Sequence, residues 1–276
     1  MKFFKFLSAL LVTATLFSCS SDGDSSDSTA NYFNLTYNGT AKTVNIASVQ
    51  AVKSEDYIEV LGVTSEGAYV SFDFNTHGNL YEASYDGDNH EATFAHYSNS
   101  SFTFELVDLN TTNKTVRVNF SGKVYENEYD HTSAFSTMSG SFKISYMDYN
   151  PPVTGMGTYA KLNGADWYGM TKSGSGDGTI MELSVQNGGE YTIGIVYPYS
   201  GAETGTFAFD NSDVNRISFS KYDTTTHEMI EYNVAGTMTY TTASSIVQGT
   251  FSLTATHPTN GSTVTITNGT FKEGAL

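Results

Sequence analysis

The densest set of ionisable side chains in the sequence runs from Tyr125 to His131, as Tyr-Glu-Asn-Glu-Tyr-Asp-His. If this segment is a β-strand, Glu126, Glu128 and Asp130 share one face, at about 7 Å between every second residue. Three carboxylates so placed could bind calcium, an ion that prefers several oxygen ligands. The alternative is a solvated strand face, on which a row of like charges costs little in water. The sequence therefore predicts either a calcium site or a wet acidic face at these three residues.

A second oxygen-rich segment, Tyr85–Glu91, contains Asp86-Gly87-Asp88-Asn89. It lacks the ligand spacing of an EF-hand loop, so we interpret it as a plain turn.

The single tryptophan of the chain, Trp167, stands between Asp166 and Tyr168, shortly after the turn-forming pair Asn163-Gly164. An aromatic pair on the surface could stack on a sugar ring. Packing in a partly buried position is the alternative, because large aromatic side chains are mostly buried. Trp167 and Tyr168 are therefore the candidate ligand-binding residues.

Other site chemistries find no support in the sequence. The six histidines are scattered, none in the His-x-x-x-His spacing of a helical zinc site. No Gly-x-Ser-x-Gly segment suggests a serine nucleophile. The sequence predicts no catalytic residue, no cofactor and no enzyme activity.

The only cysteine, Cys19, ends an N-terminal segment in which Lys2 and Lys5 precede an apolar run over residues 7–17. This run is too short for a membrane-spanning helix of about 20 residues. The segment Leu16-Phe17-Ser18-Cys19 resembles the lipobox of bacterial lipoproteins. The resemblance implies a signal peptide over residues 1–18 that is removed before Cys19, and lipid attachment at Cys19. Two or more acyl chains hold a protein stably on a membrane.

Residues 20–30 contain no large apolar side chain and are rich in serine and aspartate. Such a segment cannot bury enough surface to offset its ordering entropy, so we predict a disordered acidic tether over residues 19–30. The segment resembles the export signals of surface lipoproteins from Bacteroidetes-type bacteria.

Loss of Lys2 and Lys5 with the signal peptide changes the net charge from −16 to −18. Without a cluster of basic residues, nucleic acid is excluded as a partner.

Alternation of apolar and polar residues predicts an all-β fold. Phe33, Leu35 and Tyr37 run into Asn38-Gly39, a pair favoured in the type I′ turns of hairpins. No window after the signal peptide has apolar residues at helical spacing. Short connections favour antiparallel meanders, curled into a barrel or half-closed barrel, with a β-sandwich as the alternative. The alternation returns at Val70–Phe74, Phe102–Leu106, Val116–Phe120, Phe142–Tyr146, Ile193–Ile195, Ile217–Phe219, Met238–Tyr240, Phe251–Leu253 and Val264–Ile266, with further Asn-Gly turns at Asn163, Asn187, Asn260 and Asn268.

Two adjacent prolines, Pro151 and Pro152, cannot donate to a sheet ladder and divide the chain. We predict a first β domain over residues 31–149, a linker over 150–153 and a second β domain over 154–276. Weak self-similarity between the halves suggests a duplication. Ile58, Val63, Gly67, Tyr69 and Tyr85 match Ile180, Val185, Gly189, Tyr191 and Phe207 at one offset, and Gly140–Lys143 matches Gly269–Lys272 at a larger one.

The second half also contains Tyr159, the run Leu162-Asn163-Gly164-Ala165-Asp166-Trp167, and later Gly249-Thr250-Phe251-Ser252. Together with Thr265–Phe271, these segments resemble a domain of unknown function found in Bacteroidetes lipoproteins. The resemblance covers residues 159–272 and implies location and fold class, since that family brings no activity with it. The first half has no equivalent of Trp167.

These observations predict an outer-membrane lipoprotein that is held by lipid on Cys19 and faces the cell surface, with the periplasmic face as the alternative. We expect a non-enzymatic binding module for a glycan, a peptide or a partner lipoprotein, in a barrel mouth or along a sheet edge. One alternative is a structural or assembly lipoprotein without a ligand pocket. A second is a hydrolase of polysaccharides, which needs two carboxyl groups at about 5 to 9.5 Å across a cleft.

Overall fold

The computed structural model describes residues 30–54, 56–96, 101–149, 153–200 and 203–274. The fold is all-β, as predicted, and within these ranges the helical structure is a single 3-10 turn at Ile46–Ser48. No helix in the described ranges is both long and apolar enough to cross a membrane. The predicted signal peptide, Cys19, the tether up to Thr29 and the linker residues 150–152 lie outside the described residues. The chain from Asn31 onward forms one compact unit.

In the described part of the first half, eleven strands form one sheet in the order β11-β3-β4-β5-β6-β7-β9-β10-β1-β2, with β8 paired to β9. Neighbours are antiparallel except β11 and β3, which run parallel. The strands are β1 (Tyr32–Tyr37), β2 (Thr40–Thr43), β3 (Gln50–Lys53), β4 (Tyr57–Val63), β5 (Tyr69–Asn75), β6 (Leu80–Asp86), β7 (His90–Ala92), β8 (Phe102–Asn110), β9 (Thr115–Tyr125), β10 (Phe135–Ser145) and β11 (Met147–Asp148).

The first sheet curls back on itself. Val44, directly after β2, forms an antiparallel bridge with Thr64, directly after β4. The backbone N–H of Ser65 donates to the carbonyl of Thr43 at 2.8 Å, and the N–H of Asn45 donates to Val63 at 2.9 Å. The end of β2 is therefore joined to the end of β4, which makes the sheet a half-closed barrel.

The described second half forms a ten-stranded sheet in the order β16-β19-β20-β21-β12-β13-β14-β15-β17-β18. Its strands are β12 (Gly157–Leu162), β13 (Ala165–Gly176), β14 (Ile180–Gln186), β15 (Tyr191–Pro198), β16 (Gly205–Asp210), β17 (Arg216–Asp223), β18 (Glu228–Glu231), β19 (Asn233–Ala243), β20 (Ile246–Thr256) and β21 (Thr263–Gly274). Every pair in this sheet is antiparallel. The strands at the ends of both sheet orders are short, with two residues in β11, four in β2 and β18, and six in β16.

Two of the predicted Asn-Gly turns have positive φ at both residues, as a type I′ turn requires: Asn38-Gly39 at 47° and 74°, and Asn163-Gly164 at 50° and 87°. The predicted turn at Asn268-Gly269 is wrong, because this pair lies inside β21. A side chain at position 269 would lie 2.6 Å from the ring of Phe251 on β20. The glycine here permits close packing between strands where a turn was expected.

Each sheet encloses a hydrophobic core on its inner side. Phe72 is at the centre of the first core, with ring centroids 4.6 Å from Phe120 and 5.3 Å from Phe142. The second core contains Phe219, Phe251 and Leu253. Tyr222 of β17 belongs to the first core, since its ring lies 5.3 Å from that of Phe94. The halves thus share packed side chains, and their folding as independent domains stays a prediction.

Candidate functional site

Strand ends and turns at one end of the first sheet surround an open cleft of about 390 Å³. We call it the tyrosine cleft; the residues used below are Tyr37, Lys42, Glu66, Tyr85, Asp88 and Glu91. Tyr37 is the last residue of β1, directly before the Asn38-Gly39 turn. Its ring stacks on that of Tyr85 with centroids 3.9 Å apart and planes at 16°. The turn therefore brings two aromatic rings to the same end of the sheet.

Glu91 places a buried carboxylate at this cleft, with 6% of its surface exposed. It accepts a short hydrogen bond from the hydroxyl of Tyr37 and one of 2.9 Å from the hydroxyl of Ser136. The side-chain amide of Asn38 donates to the same Ser136 oxygen at 3.0 Å. Since a carboxylate has about four acceptor positions, Glu91 retains capacity for donors from a ligand.

Tyr37 is held in its neutral form. Burial, followed by the hydrogen bond to Glu91, raises the pKa of Tyr37 to about 12. Its hydroxyl therefore stays a donor toward Glu91 at any physiological pH.

The rim of the tyrosine cleft is charged. Lys42 on β2 forms an ion pair of 2.6 Å with Glu66, and this bond raises the pKa of Lys42. Asp88 lies in the β6–β7 turn. The lining thus carries three carboxyl groups, those of Glu66, Asp88 and Glu91, against one ammonium. This balance disfavours anionic ligands and favours neutral or cationic ones that donate hydrogen bonds.

Trp167 is buried in the second core with 6% of its surface exposed, so its ring is not open to a sugar. It is directly opposite Ala160 in the β12–β13 ladder, and that residue is also in the core. Tyr168, the next residue, stacks on His77 of the first half, with centroids 3.6 Å apart and planes at 10°. The structure therefore gives both predicted ligand-binding residues packing contacts, Trp167 within its own half and Tyr168 between the halves.

The expected strand at Glu126, Glu128 and Asp130 is wrong, because β9 ends at Tyr125 and the segment turns. In this turn, the backbone N–H of Asp130 donates a hydrogen bond of 3.0 Å to the carbonyl oxygen of Asn127. A carboxylate oxygen of Asp130 accepts from the N–H and the hydroxyl of Thr132, which lowers the pKa of Asp130. The three carboxylates are consequently not a row on one face. Glu128 instead lies near Glu82 and His90.

The sequence does not indicate Tyr37 as a site residue, and it predicts a plain turn for the oxygen-rich segment Tyr85–Glu91. In the structure only residues 87–89 turn, and Tyr85 and Glu91 lie on β6 and β7 on either side. Tyr37 belongs to an alternation of apolar and polar residues that predicts a strand. Glu91 lies in a short segment without clear alternation of this kind. Glu91 reaches Tyr37 across 54 residues of chain, through the pairing of β7 with β9, of β9 with β10 and of β10 with β1. Only the sheet order could have revealed this contact.

Comparison of the chain with protein-family models, with characterised proteins and with solved structures found no match.

Proposed function

We propose that this chain is a Bacteroidetes-type lipoprotein, held on the outer membrane by lipid on Cys19, and that its β fold is a non-enzymatic module that binds glycans in the tyrosine cleft. It faces the cell surface, and the periplasmic face is the alternative. The β fold begins at Tyr32, two residues after the proposed tether ends at Ala30. A disordered tether, as proposed for residues 19–30, would leave the module free to reach ligands in the surrounding water.

The observation that carries the ligand class is the meeting of stacked tyrosines and a buried carboxylate in one open cleft. Sugars present apolar C–H faces to aromatic rings and hydroxyl groups to acceptors. The half-buried ring of Tyr37, backed by the buried ring of Tyr85, offers the aromatic surface, and Glu91 and Asp88 offer acceptors. With three carboxyl groups against Lys42 alone, the ligand is a neutral or amino glycan rather than an acidic one.

We propose further that the halves arose by duplication and that only the first kept the ligand site. In each half the first strand pairs with a late long strand, β1 with β10 and β12 with β21. Both first strands end at an Asn-Gly turn. Leu162 precedes the second turn where Tyr37 precedes the first. We therefore expect one glycan to bind per chain.

Loss of the Glu91 carboxylate should weaken glycan binding. We expect a glycan array to select neutral or amino sugars, and Glu91→Gln to lower the affinity for the best of them about tenfold or more, since hydrogen bonds to charged groups contribute about 1.5 to 3 kcal/mol. Calorimetric titration of the purified chain measures the affinity and the stoichiometry.

The matched control is Tyr199→Ala, which removes an exposed tyrosine of the second half and should leave binding unchanged. Selection of acidic glycans, or equal binding by Glu91→Gln and the unmodified chain, would contradict the proposed ligand class.

Replacing Cys19 by alanine should move the protein from the membrane fraction to the soluble fraction. The reason is that the acyl chains have no other attachment point, and each buried methylene contributes about 0.8 kcal/mol to membrane binding. Fractionation of cells followed by immunoblotting measures the distribution, with Ser20→Ala as the neighbouring control. Retention of Cys19→Ala in the membrane would refute the lipid anchor.

A further inference from the structure

Three potential metal ligands from separate segments meet near the β6–β7 hairpin. Glu82 lies on β6, His90 begins β7, and Glu128 lies in the loop between β9 and β10. One ligand atom from each side chain lies within 4.8 Å of the other two. Glu82 and Glu128 are half-buried and His90 is exposed, so an ion from solution can reach the group.

The composition of this group determines the ion class. Calcium and magnesium take oxygen ligands, whereas zinc accepts imidazole nitrogen together with carboxylate oxygen, at about 2.0 to 2.2 Å. Tetrahedral coordination at that length puts ligand atoms about 3.4 Å apart, so the side chains need to close by little more than about 1 Å. Two carboxylates this close repel each other, and a divalent cation between them removes that repulsion.

A cleft beside the group provides space for a further ligand. It measures about 280 Å³ and lies between the two halves, with Glu82 and Glu128 on one side and Ser173 and Gln186 on the other. His96 lines the same cleft, and its buried Nδ1 atom has no hydrogen-bond partner in the described structure. Three protein ligands leave a fourth zinc position for a water molecule, which this cleft can accommodate.

A further contact orients the group from outside. The hydroxyl of Tyr129, next to Glu128 in the loop, donates a hydrogen bond to the Glu128 carboxylate. Partners of this kind fix the orientation of metal ligands.

We propose that Glu82, His90 and Glu128 bind one zinc-type divalent transition ion, with an open coordination position toward the cleft between the halves. Bound there, the ion fastens the β9–β10 loop to the β6–β7 hairpin. The site is independent of the tyrosine cleft, because His90 and Glu91 are neighbours on β7 and adjacent strand residues point to opposite faces.

Titration of the full chain with Zn²⁺ in a calorimeter tests this site. We expect one ion per chain, with affinity at least about tenfold lower in His90→Ala and in Glu128→Gln, because each removes one of three ligands. Ca²⁺ in place of Zn²⁺ should bind much more weakly. Zn²⁺ should also raise the melting temperature of the unmodified chain but not of these variants.

The controls use the same loop and the same residue types. Glu126→Gln removes a loop carboxylate outside the group, and His131→Ala removes a histidine that faces His227 with ring centroids 4.1 Å apart. Both should bind Zn²⁺ like the unmodified chain. The proposal fails if Zn²⁺ does not bind, if His90→Ala binds it unchanged, or if a control loses as much affinity as Glu128→Gln.

Discussion

Replacement of Phe72 by alanine should lower the free energy of unfolding by about 3 to 5 kcal/mol, as in other truncations of buried aromatic residues. The Phe72 side chain has no exposed surface and lies at the centre of the first core. Rings surround it on several sides, those of Phe120, Phe142 and Phe33 at 4.6, 5.3 and 6.2 Å between centroids. The neighbours belong to different strands of a curled sheet, so they cannot all move into the space that the ring leaves.

Urea denaturation followed by circular dichroism measures this loss. Phe135→Ala is the matched control, because Phe135 is 49% exposed and its truncation should cost less than about 1 kcal/mol. A loss below about 1 kcal/mol for Phe72→Ala would mean that the first core is not packed as described. Calorimetry of the same variant also tests the predicted domains, since independent halves would leave the transition of the second half unchanged.

The unmodified chain should lose stability as the pH rises, because Glu273 ionises. The Glu273→Gln variant should not show this loss. Glu273 on β21 has 2% of its surface exposed. Burial, to which the nearby Asp56 adds, raises the pKa of Glu273 from 4.5 to about 7. Hydrogen bonds from the hydroxyl of Thr158 at 2.7 Å and of Thr171 at 3.0 Å lower it but do not offset burial.

The sign of the effect follows from proton binding. Between pH 4.5 and about 7 the folded chain keeps the Glu273 proton while the unfolded chain releases it. The contribution to stability is therefore complete below pH 4.5 and is lost as the pH rises to about 7. At about 1.4 kcal/mol per pKa unit, the loss is about 3 kcal/mol. Glutamine mimics the protonated carboxyl and cannot ionise, so the variant should be more stable than the unmodified chain at pH 8.

Urea denaturation at pH 5 and pH 8 measures the free energy of unfolding of Glu273→Gln and of the unmodified chain. The difference between the two chains isolates Glu273, because all other groups titrate in both. Glu126→Gln serves as the exposed control and should follow the unmodified chain at both values. If Glu273→Gln and the unmodified chain lose the same stability between the two pH values, the raised pKa of Glu273 is refuted.

Strand positions could be predicted from the sequence because alternation is a local property. Val116, Val118 and Phe120 are buried on one side of β9, as the pattern of polar residues between them implies. The same reasoning failed where one residue pair, Asn-Gly, occurs both in a turn and inside a strand. Asn38-Gly39 turns the chain, whereas Asn268-Gly269 continues a strand because the Phe251 ring occupies the space beside Gly269. That neighbour is 18 residues away along the chain and cannot be identified locally.

The group formed by Glu82, His90 and Glu128 could not be predicted, for a related reason. Acidic residues that are close in sequence suggested a row, but turn hydrogen bonds at Asn127 and Thr132 place them apart. Glu128 approaches Glu82 and His90 only because the sheet order brings its loop to the β6–β7 hairpin. The sequence therefore drew attention to Glu128 but grouped it with Glu126 and Asp130, whereas the structure places it near Glu82 and His90.

For the lipid-anchored protein proposed above, the shortness of the outermost strands bears on how many copies can share a membrane. Proteins tethered to one leaflet meet each other at high local density. There, the unpaired backbone N–H and C=O groups of an edge strand can pair with a neighbouring molecule, which leads to aggregation. Here β11 offers two residues for such joining, and β18 begins and ends with glutamate. Crowded molecules should therefore stay separate, each keeping its own clefts open to the surrounding water.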